Sequence, residues 1–419
     1  MAKNTKTNDP LNRRSFLGAA AATLSAGAFL APFAMAQSKS TIRRGEEDHS
    51  ADNPGPVNKS LQMENPSSEL PPSEDKGDVP PFWYSFDLAH RRVQDGGWTR
   101  QVTEADLPVS RDLAGVNMRL TAGSYRELHW HTANEWAFML YGSARVTVLN
   151  PDGTIFIDDV SEGDLWYFPA GFPHSIQGLG PDGCEFLLVF DEGGFSEYQT
   201  FLLSDWIAHT PEEVLKKNFG LNATSLKKLP EDEEYIFPGT VPGPLADDKR
   251  AVGGAAVESK VSYTFRMQAM KPNVQNAGGD ARIVDSSNFV ASKAIAAALV
   301  TVKPGGMREL HWHPNSSEWQ YYIKGSARMT VFASSGKART MNFNANDVGF
   351  VPAVAGHYIE NLGTEDLVFL ELFKSSYFSD ISLNQWIRRL PPLMVKEHLH
   401  LDQSEQKQIP DQKLVTIEG

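Results

Sequence analysis

Six of the chain's 11 histidines fall into two matched sets, and each set has the composition of a metal centre. The first is His129, His131, Glu135 and His174; the second is His311, His313, Glu318 and His357. Residues two apart on a strand project to one face, so His129 and His131 present two imidazoles side by side. Glu135 joins them across a short turn, and His174 arrives from a distant strand behind the Pro169–Gly171 turn, as His357 does behind Pro352. Three neutral imidazoles and one carboxylate leave a divalent ion with residual positive charge and open coordination positions, which is what metal-assisted catalysis requires. A lone His-x-His pair is more often two satisfied core or surface histidines. Here the carboxylate and the distant histidine recur in register, and that favours a metal.

The repetition belongs to a duplication of the chain. "RELHWH" at Arg126–His131 stands again at Arg308–His313, 182 residues on, and Gly96-Gly97 and Arg100 match Gly278-Gly279 and Arg282 at the same offset. After one inserted residue, Glu135, Gly142 and His174 match Glu318, Gly325 and His357 at 183. Repeats of about this length are whole domains rather than solenoid units. The spacing predicts a first domain over 82–241, a linker over 242–257, a second domain over 258–405 and a tail over 406–419.

Within each copy the pattern is short strands and turns. Val116–Thr121, Glu135–Tyr141, Ala144–Leu149, Thr154–Ile157, Asp164–Phe168 and Glu185–Phe190 are β-rich and bounded by Gly, Pro, Asn and Asp. "NPDG" at Asn150–Gly153 is a hairpin turn. The fold class is therefore all-β, with two tandem closed or two-sheet barrels, each followed by short helices. Thr210-Pro211-Glu212-Glu213 has the form of a capping box and Gly220 follows the helix it would start, while the counterpart at Leu383–Leu399 is broken by Pro391-Pro392.

Composition narrows the function. A formal charge of −13 argues against nucleic acid or an anionic membrane surface as partner, so an anionic substrate would need local cations. Residues 1–36 carry a twin arginine (Arg13, Arg14), an alanine-rich apolar run interrupted by Pro32, and an Ala34-Met35-Ala36 cleavage box. That predicts twin-arginine export to the periplasm or beyond, with no stable membrane association once the signal is removed. The pathway carries folded proteins and suits one that loads its metal first. Residues 37–81 read as an extended arm. Cys184, the one cysteine, sits in an apolar run and reads as a small buried hydrophobe.

Arg126 and Arg308 each precede the first histidine of their set by three. Strict alternation would point them away from the metal, leaving them as solvated rim residues; a bulge, or a strand beginning after them, would turn them inward. A guanidinium there would pair bidentately with a substrate carboxylate. Glu371 lies in the apolar run "VFLELFK", where the first copy has Leu188. Such a carboxylate either has a raised pKa or pairs with Arg308.

"GSYRELHWHTANEWAFMLYG" with "GDLWYFPAGFPHSIQG", and "GGMRELHWHPNSSEWQYYIKG" with "DVGFVPAVAGHYIEN", resemble the two cupin motifs twice over, from about Phe82 to Leu401. Gly178 stands where the second motif usually has Asn (kept as Asn361), and Asn346 replaces its usual leading Gly. Among two-cupin proteins the chain resembles the oxalate decarboxylases. The resemblance implies jelly-roll-like barrels, two manganese ions per chain, dioxygen as co-catalyst and oxalate as substrate. It also implies Arg126 and Arg308 on the substrate carboxylate, and a homo-oligomer (a trimer or dimer of trimers) with Trp206 and Trp386 as anchors. The family's lid acid falls on Glu197, in a loop that opens with Gly193-Gly194 and is two residues longer than its counterpart. The second-site acid falls on Glu371. The family has Asn-Ser after the lid acid; Tyr198-Gln199 here predicts a lid that closes less tightly. The rival readings are an oxalate oxidase with the same metal and arginine, and a storage-like bicupin without catalysis, against which two intact ligand sets argue.

Overall fold

The computed structural model describes residues 57–68, 79–253 and 258–419; the expected export signal and most of the arm lie outside the described residues. Helix α1 (Lys59–Glu64) leads to strands β1 (Trp83–Ser85), β2 (Arg91–Gln94), β3 (Gly97–Val102) and β4 (Ala114–Leu120). The motif strand β5 (Tyr125–Trp130) is followed by the long β6 (Glu135–Leu149), then β7 (Ile155–Ser161), β8 (Leu165–Phe168), β9 (His174–Gly178) and β10 (Cys184–Phe190). A loop then reaches β11 (Phe201–Leu202), helices α2 (Leu203–Ala208), α3 (Glu212–Phe219) and α4 (Ala223–Leu226), and β12 (Ile236–Phe237). Between the copies lies α5 (Leu245–Val252).

The second copy repeats the plan with β13 (Thr264–Phe265), β14 (Val274–Asn276), β15 (Gly279–Val284), β16 (Ala296–Val302) and the motif strand β17 (Met307–Trp312). Strands β18 (Glu318–Lys324), β19 (Ser326–Phe332), β20 (Ala338–Asn344), β21 (Asp347–Val351), β22 (Gly356–Asn361) and β23 (Leu367–Phe373) complete its two antiparallel sheets. Then come β24 (Ile381–Ser382), helices α6 (Leu383–Arg389), α7 (Pro392–Leu399) and α8 (Gln403–Gln406), and β25 (Thr416–Ile417).

The sequence reads Glu135–Tyr141 and Ala144–Leu149 as two strands; they form one. The first part of β6 pairs with β8 and β10, the second with β7 and β9, and the strand changes sheet at Gly142 (φ 72°). A Cβ there would sit 2.1 Å from the Gly183 carbonyl oxygen, so glycine is required both by conformation and by space.

The two halves exchange strands. β1, which precedes the first barrel, pairs with β21 of the second, and the Trp83 indole donates to Asp347 (2.9 Å). β13, at the head of the second copy, pairs with β8 of the first. One apolar core accordingly runs from Phe86 and Val116 through Trp319 to Leu370. Where the barrels meet, Gly115 leaves room for the Trp319 ring; a Cβ would lie 2.5 Å from it.

Several flanking stretches carry more structure than their composition suggests. The linker expected over 242–257 contains α5, held by buried Arg145, which bridges Asp159 (2.8 Å) and Asp248 (2.5 Å). The described part of the arm lies on β20, where Ser67 accepts from the Thr340 amide (2.7 Å) and the Val79 carbonyl from Arg339 (2.6 Å). The 406–419 tail ends in β25, which pairs with β17 beside Arg308. The capping box expected at Thr210 does not form: α3 starts after Pro211, and the Thr210 hydroxyl donates back to Trp206 O (2.7 Å), closing α2 instead. Gly220 does end α3 in the left-handed conformation (φ 68°), and His400 (φ 59°) takes that place after α7. No helix among the described residues is long and apolar enough to cross a membrane.

Candidate metal centres

Both motif strands carry the same irregularity. β5 pairs with β9 at Arg126↔Ile176 and again at His129↔His174, three residues against two, so the strand bulges between them. β17 does the same against β22 between Arg308 and His311. The bulge turns Arg126 and Arg308 inward, and each is fully buried. It also buries the glutamate that follows. Glu127 accepts the amides of Ser204 (2.6 Å) and Tyr235 (2.8 Å), tying α2 and the 234–236 segment to the strand; Glu309 accepts from Val415 N (2.9 Å) and the Ser382 hydroxyl (2.8 Å).

The eight expected ligands come together as two sets of four, all buried, with the ligand atoms of each set within 4.8 Å of one another. In the first, each imidazole is oriented by a backbone carbonyl that accepts from Nδ1: Glu127 O for His129 (2.6 Å), Ala133 O for His131 (2.7 Å) and Phe172 O for His174 (2.8 Å). That fixes the tautomer and aims the Nε2 lone pairs at one point. In the second, Glu309 O holds His311 (2.6 Å), Ser379 O holds His313 (2.8 Å) and Ala355 O holds His357 (3.1 Å). Burial, then the neighbouring Arg126 and the other imidazoles, push His129 well below the ordinary histidine range; burial and Arg308 do the same to His311. Both are neutral ligands at physiological pH. Burial alone would raise Glu135, but the adjacent His131 and His174 imidazoles outweigh it and bring it to about 2. Glu318 is lowered in the same way by His357 and His313, against burial.

These residues fit a divalent cation. His174 Nε2, His311 Nε2 and His313 Nε2 are buried with no hydrogen-bond partner, and a buried carboxylate, Glu135 or Glu318, completes each set within 4.8 Å. A metal ion satisfies all of these atoms at once. The outer supports differ: the Trp166 indole donates to Glu135 (2.9 Å), whereas the Gln320 amide donates to Glu318 (2.7 Å) and is itself held by the Tyr322 hydroxyl (2.8 Å).

The arginines differ more. Arg126 Nε donates to Glu197 (2.7 Å) and its Nη2 to the Thr200 hydroxyl (2.9 Å), both on the loop between β10 and β11. Arg308 Nε donates to Glu371 (3.1 Å), which stands on β23, and its Nη2 to Asp380 (2.7 Å), which also pairs with Lys413. One arginine is thus held by a loop, the other by a strand and a three-charge cluster. Strand pairing makes the first loop three residues longer than its counterpart, not two, because Leu202 and Ser382 are the equivalent partners of His129 and His311. Glu197 and Glu371 each keep one buried oxygen without a partner, and burial raises both above the ordinary carboxylate range although the adjacent arginine opposes it.

In this structure the loop stands closed, with Glu197 1% exposed and the following Tyr198 39% exposed. Cys184 is a buried hydrophobe, its thiol pushed up to about 12 by burial. The Gly178 departure has a cause: a Cβ there would lie 2.5 Å from Thr121 O. Asn346 takes the left-handed conformation (φ 73°) that asparagine tolerates.

Two β-barrels in one chain, each with a His3Glu centre of this spacing, define a bicupin, and the cupin family model matches residues 85–227 and 265–407. Among curated relatives, oxalate decarboxylase OxdC of Bacillus subtilis is 55% identical over 346 residues, covering 83% of this chain and 89% of that protein. A probable oxalate decarboxylase of Arthroderma benhamiae is 42% identical over 341 residues, covering 80% and 83%. A solved structure of the Bacillus subtilis enzyme, one of several and in one case described by its Mn(II) centers, superposes with a TM-score of 0.84 at 52% identity, covering 87% of this chain and 96% of that one. The chain belongs to the oxalate decarboxylase family of two-domain cupins.

Spacing alone did not reveal Glu127, Glu309, Thr200, Asp380, Lys413, Trp166 or Gln320. A signal existed for the two glutamates: all six letters of "RELHWH" repeat, and a residue kept beside ligands in both copies has work to do there.

Proposed function

We propose that the protein decarboxylates oxalate to formate and carbon dioxide, with turnover at the first site and manganese bound at both. The observation that carries this is the Arg126–Glu197 pair: a fully buried guanidinium beside the metal ligands, covered by a carboxyl group from a loop rather than from a strand. Manganese, when held by His129, His131, Glu135 and His174, would supply one-electron exchange with the bound dianion, with dioxygen as co-catalyst.

The chain's own residues supply the rest. Arg126 exchanges its contact with Glu197 for a substrate carboxylate, which its planar fork grips bidentately. The closed loop excludes water. Loss of carbon dioxide leaves a carbon that needs a proton, and Glu197, whose carboxyl burial raises above the ordinary range, is placed to give it. The electron removed from the substrate returns with that proton, so the reaction is redox-neutral overall. Arg308, gripped by Glu371 and Asp380, is less free to exchange partners. Export through the twin-arginine signal to the periplasm or beyond, and assembly into a trimer or dimer of trimers, complete the reading; exposed Trp206 and Trp386 support the second.

Glu197→Gln tests it by keeping shape and removing the acid. Formate production is expected to fall by about 10²-fold or more, within the range of general acid catalysis, while peroxide per turnover rises. An unchanged formate yield would remove Glu197 as the acid and make Glu371 the candidate.

A further inference from the structure

The loop that carries Glu197 has a second attachment, on the side away from the metal. Arg92, on β2, sets its guanidinium 3.8 Å from the centre of the Tyr235 ring and 5.8 Å from that of Tyr198. Glu233 pairs with the same guanidinium (2.6 Å). The Tyr235 ring also carries Arg126, 4.2 Å from its centre. Tyr235 itself cannot easily shift: it is buried, its amide is held by Glu127, and its backbone is in the left-handed region (φ 56°). β2 is likewise anchored, with Arg92 opposite Thr99 of β3. Arg92 and Tyr235 are therefore a fixed platform, and Tyr198 is the loop's side of the contact.

We infer that Arg92 is a positioning residue for the reaction: through Tyr198 it holds the loop closed and so keeps Glu197 over the site. The inference rests on the reading of Glu197 given above. Two features of the contact support it. Tyr198 immediately follows Glu197, so fixing its ring fixes the acid's backbone. The loop's other ties include Arg126, which holds Glu197 and Thr200 and which substrate must engage, the Gln101 side chain, which accepts from the Glu197 amide (3.0 Å), and buried Phe195, stacked on Phe190. Once substrate takes Arg126, the contact with Arg92 still favours closure at the residue next to the acid. A half-exposed cation–π contact is weak enough to open in every turnover, and its loss shifts the closed population by about two- to five-fold. In the second half the corresponding segment is three residues shorter and is pinned by ion pairs, Asp380 to Arg308 and Lys413, with Lys413 also 5.9 Å from the centre of the Phe378 ring.

The test uses the manganese-loaded full-length enzyme with Arg92→Ala, Arg92→Lys, Tyr198→Ala, Tyr198→Phe and the double alanine variant. Three quantities are read: the ratio of peroxide to formate, the rate at which proteinase K cuts the 193–200 loop, and metal content. Arg92→Ala and Tyr198→Ala are each expected to raise the first two by about two- to five-fold, with metal unchanged. The Lys and Phe variants, which keep a cation and a ring, should stay near the parent. The double variant should be no worse than the more affected single one, because both remove the same contact. Additive effects, or an effect of Arg92→Ala that Tyr198→Ala lacks, would overturn the inference. Glu197→Gln run alongside separates the two failures: if it leaves formate intact, the role of Glu197 falls, while loop cleavage still reports on the latch.

Discussion

Arg126 and Arg308 are followed by the same five residues and are equally buried, yet differ in freedom. Glu197 reaches Arg126 from a loop; Glu371 and Asp380 reach Arg308 from a strand and from a segment tied to Lys413. Replacing Arg126 by Lys keeps charge but loses the fork, so formate kcat/KM should drop by roughly 10²-fold with metal content normal. Arg308→Lys should cost stability instead, because one ammonium cannot reach Glu371 and Asp380 together as the guanidinium does; leaving a buried carboxylate unpaired costs up to about 3–5 kcal/mol, read as a lowered Tm. Equal, mild losses from both would mean that neither arginine orients substrate. The pH profile follows from Glu197. Its carboxyl is raised by burial, with Arg126 opposing, so the native protein holds this proton above the ordinary carboxylate range. Formate production should therefore fall as pH rises through that raised pKa, and the stability this group contributes is lost over the same window, since there the native state binds more protons than the unfolded one. Glu197→Gln should flatten the stability slope; an unaltered slope would assign it to another group. The metal ligands were legible in the sequence because coordination demands particular residues. The arginines' direction was not, because it depends on a bulge that alternation cannot foresee.

Elements repeat this lesson at larger size. Strand patterning located several strands of the first barrel within a few residues but divided β6, because a glycine between two apolar runs reads equally as a turn or as a bend. Pairing across Gly142 settles it as a bend that carries one strand into two sheets. That gives a stability prediction. Gly142→Ala forces a side chain into the left-handed region and against the Gly183 carbonyl, whereas Gly153→Ala meets the same backbone strain (φ 81°) with nothing within 4 Å. Both should lose about 1–2 kcal/mol to strain, and Gly142→Ala distinctly more, compared by thermal melts of the metal-loaded protein. Equal Tm values would show that the bend has room to give. The failed cap at Thr210 has a different origin: Pro211, not Thr210, is the N-cap of α3, which leaves the Thr210 hydroxyl to donate to Trp206 O at the end of the preceding helix.

At the scale of the whole molecule, duplication and strand exchange join two barrels through a shared apolar core, beside a second core within the later barrel, and what remains on the outside is matched as well. Trp206 lies against Trp130 (5.5 Å) and Trp386 against Trp312 (5.6 Å), each on the first helix after its barrel. Trp206 is still 63% exposed and Trp386 52%, so burial within one chain does not account for them. Phe219 follows on the first helical segment, and Leu393, Met394 and Leu399 on the second, all exposed. Large apolar side chains gathered in this way on a chain of net charge −13 are a mark of association rather than of a solvated face. Because the two patches are copies, a chain presents two similar faces, and contacts made through both close into a ring more readily than contacts made through one. Light scattering should therefore report a closed oligomer, three chains or six, at micromolar concentration. Trp206→Glu combined with Trp386→Glu should reduce it to single chains, while both metal centres, whose eight ligands all come from one chain, stay loaded. A parent protein that scatters as a single chain would sink the assembly; a double variant that still assembles would place the interface elsewhere on the surface.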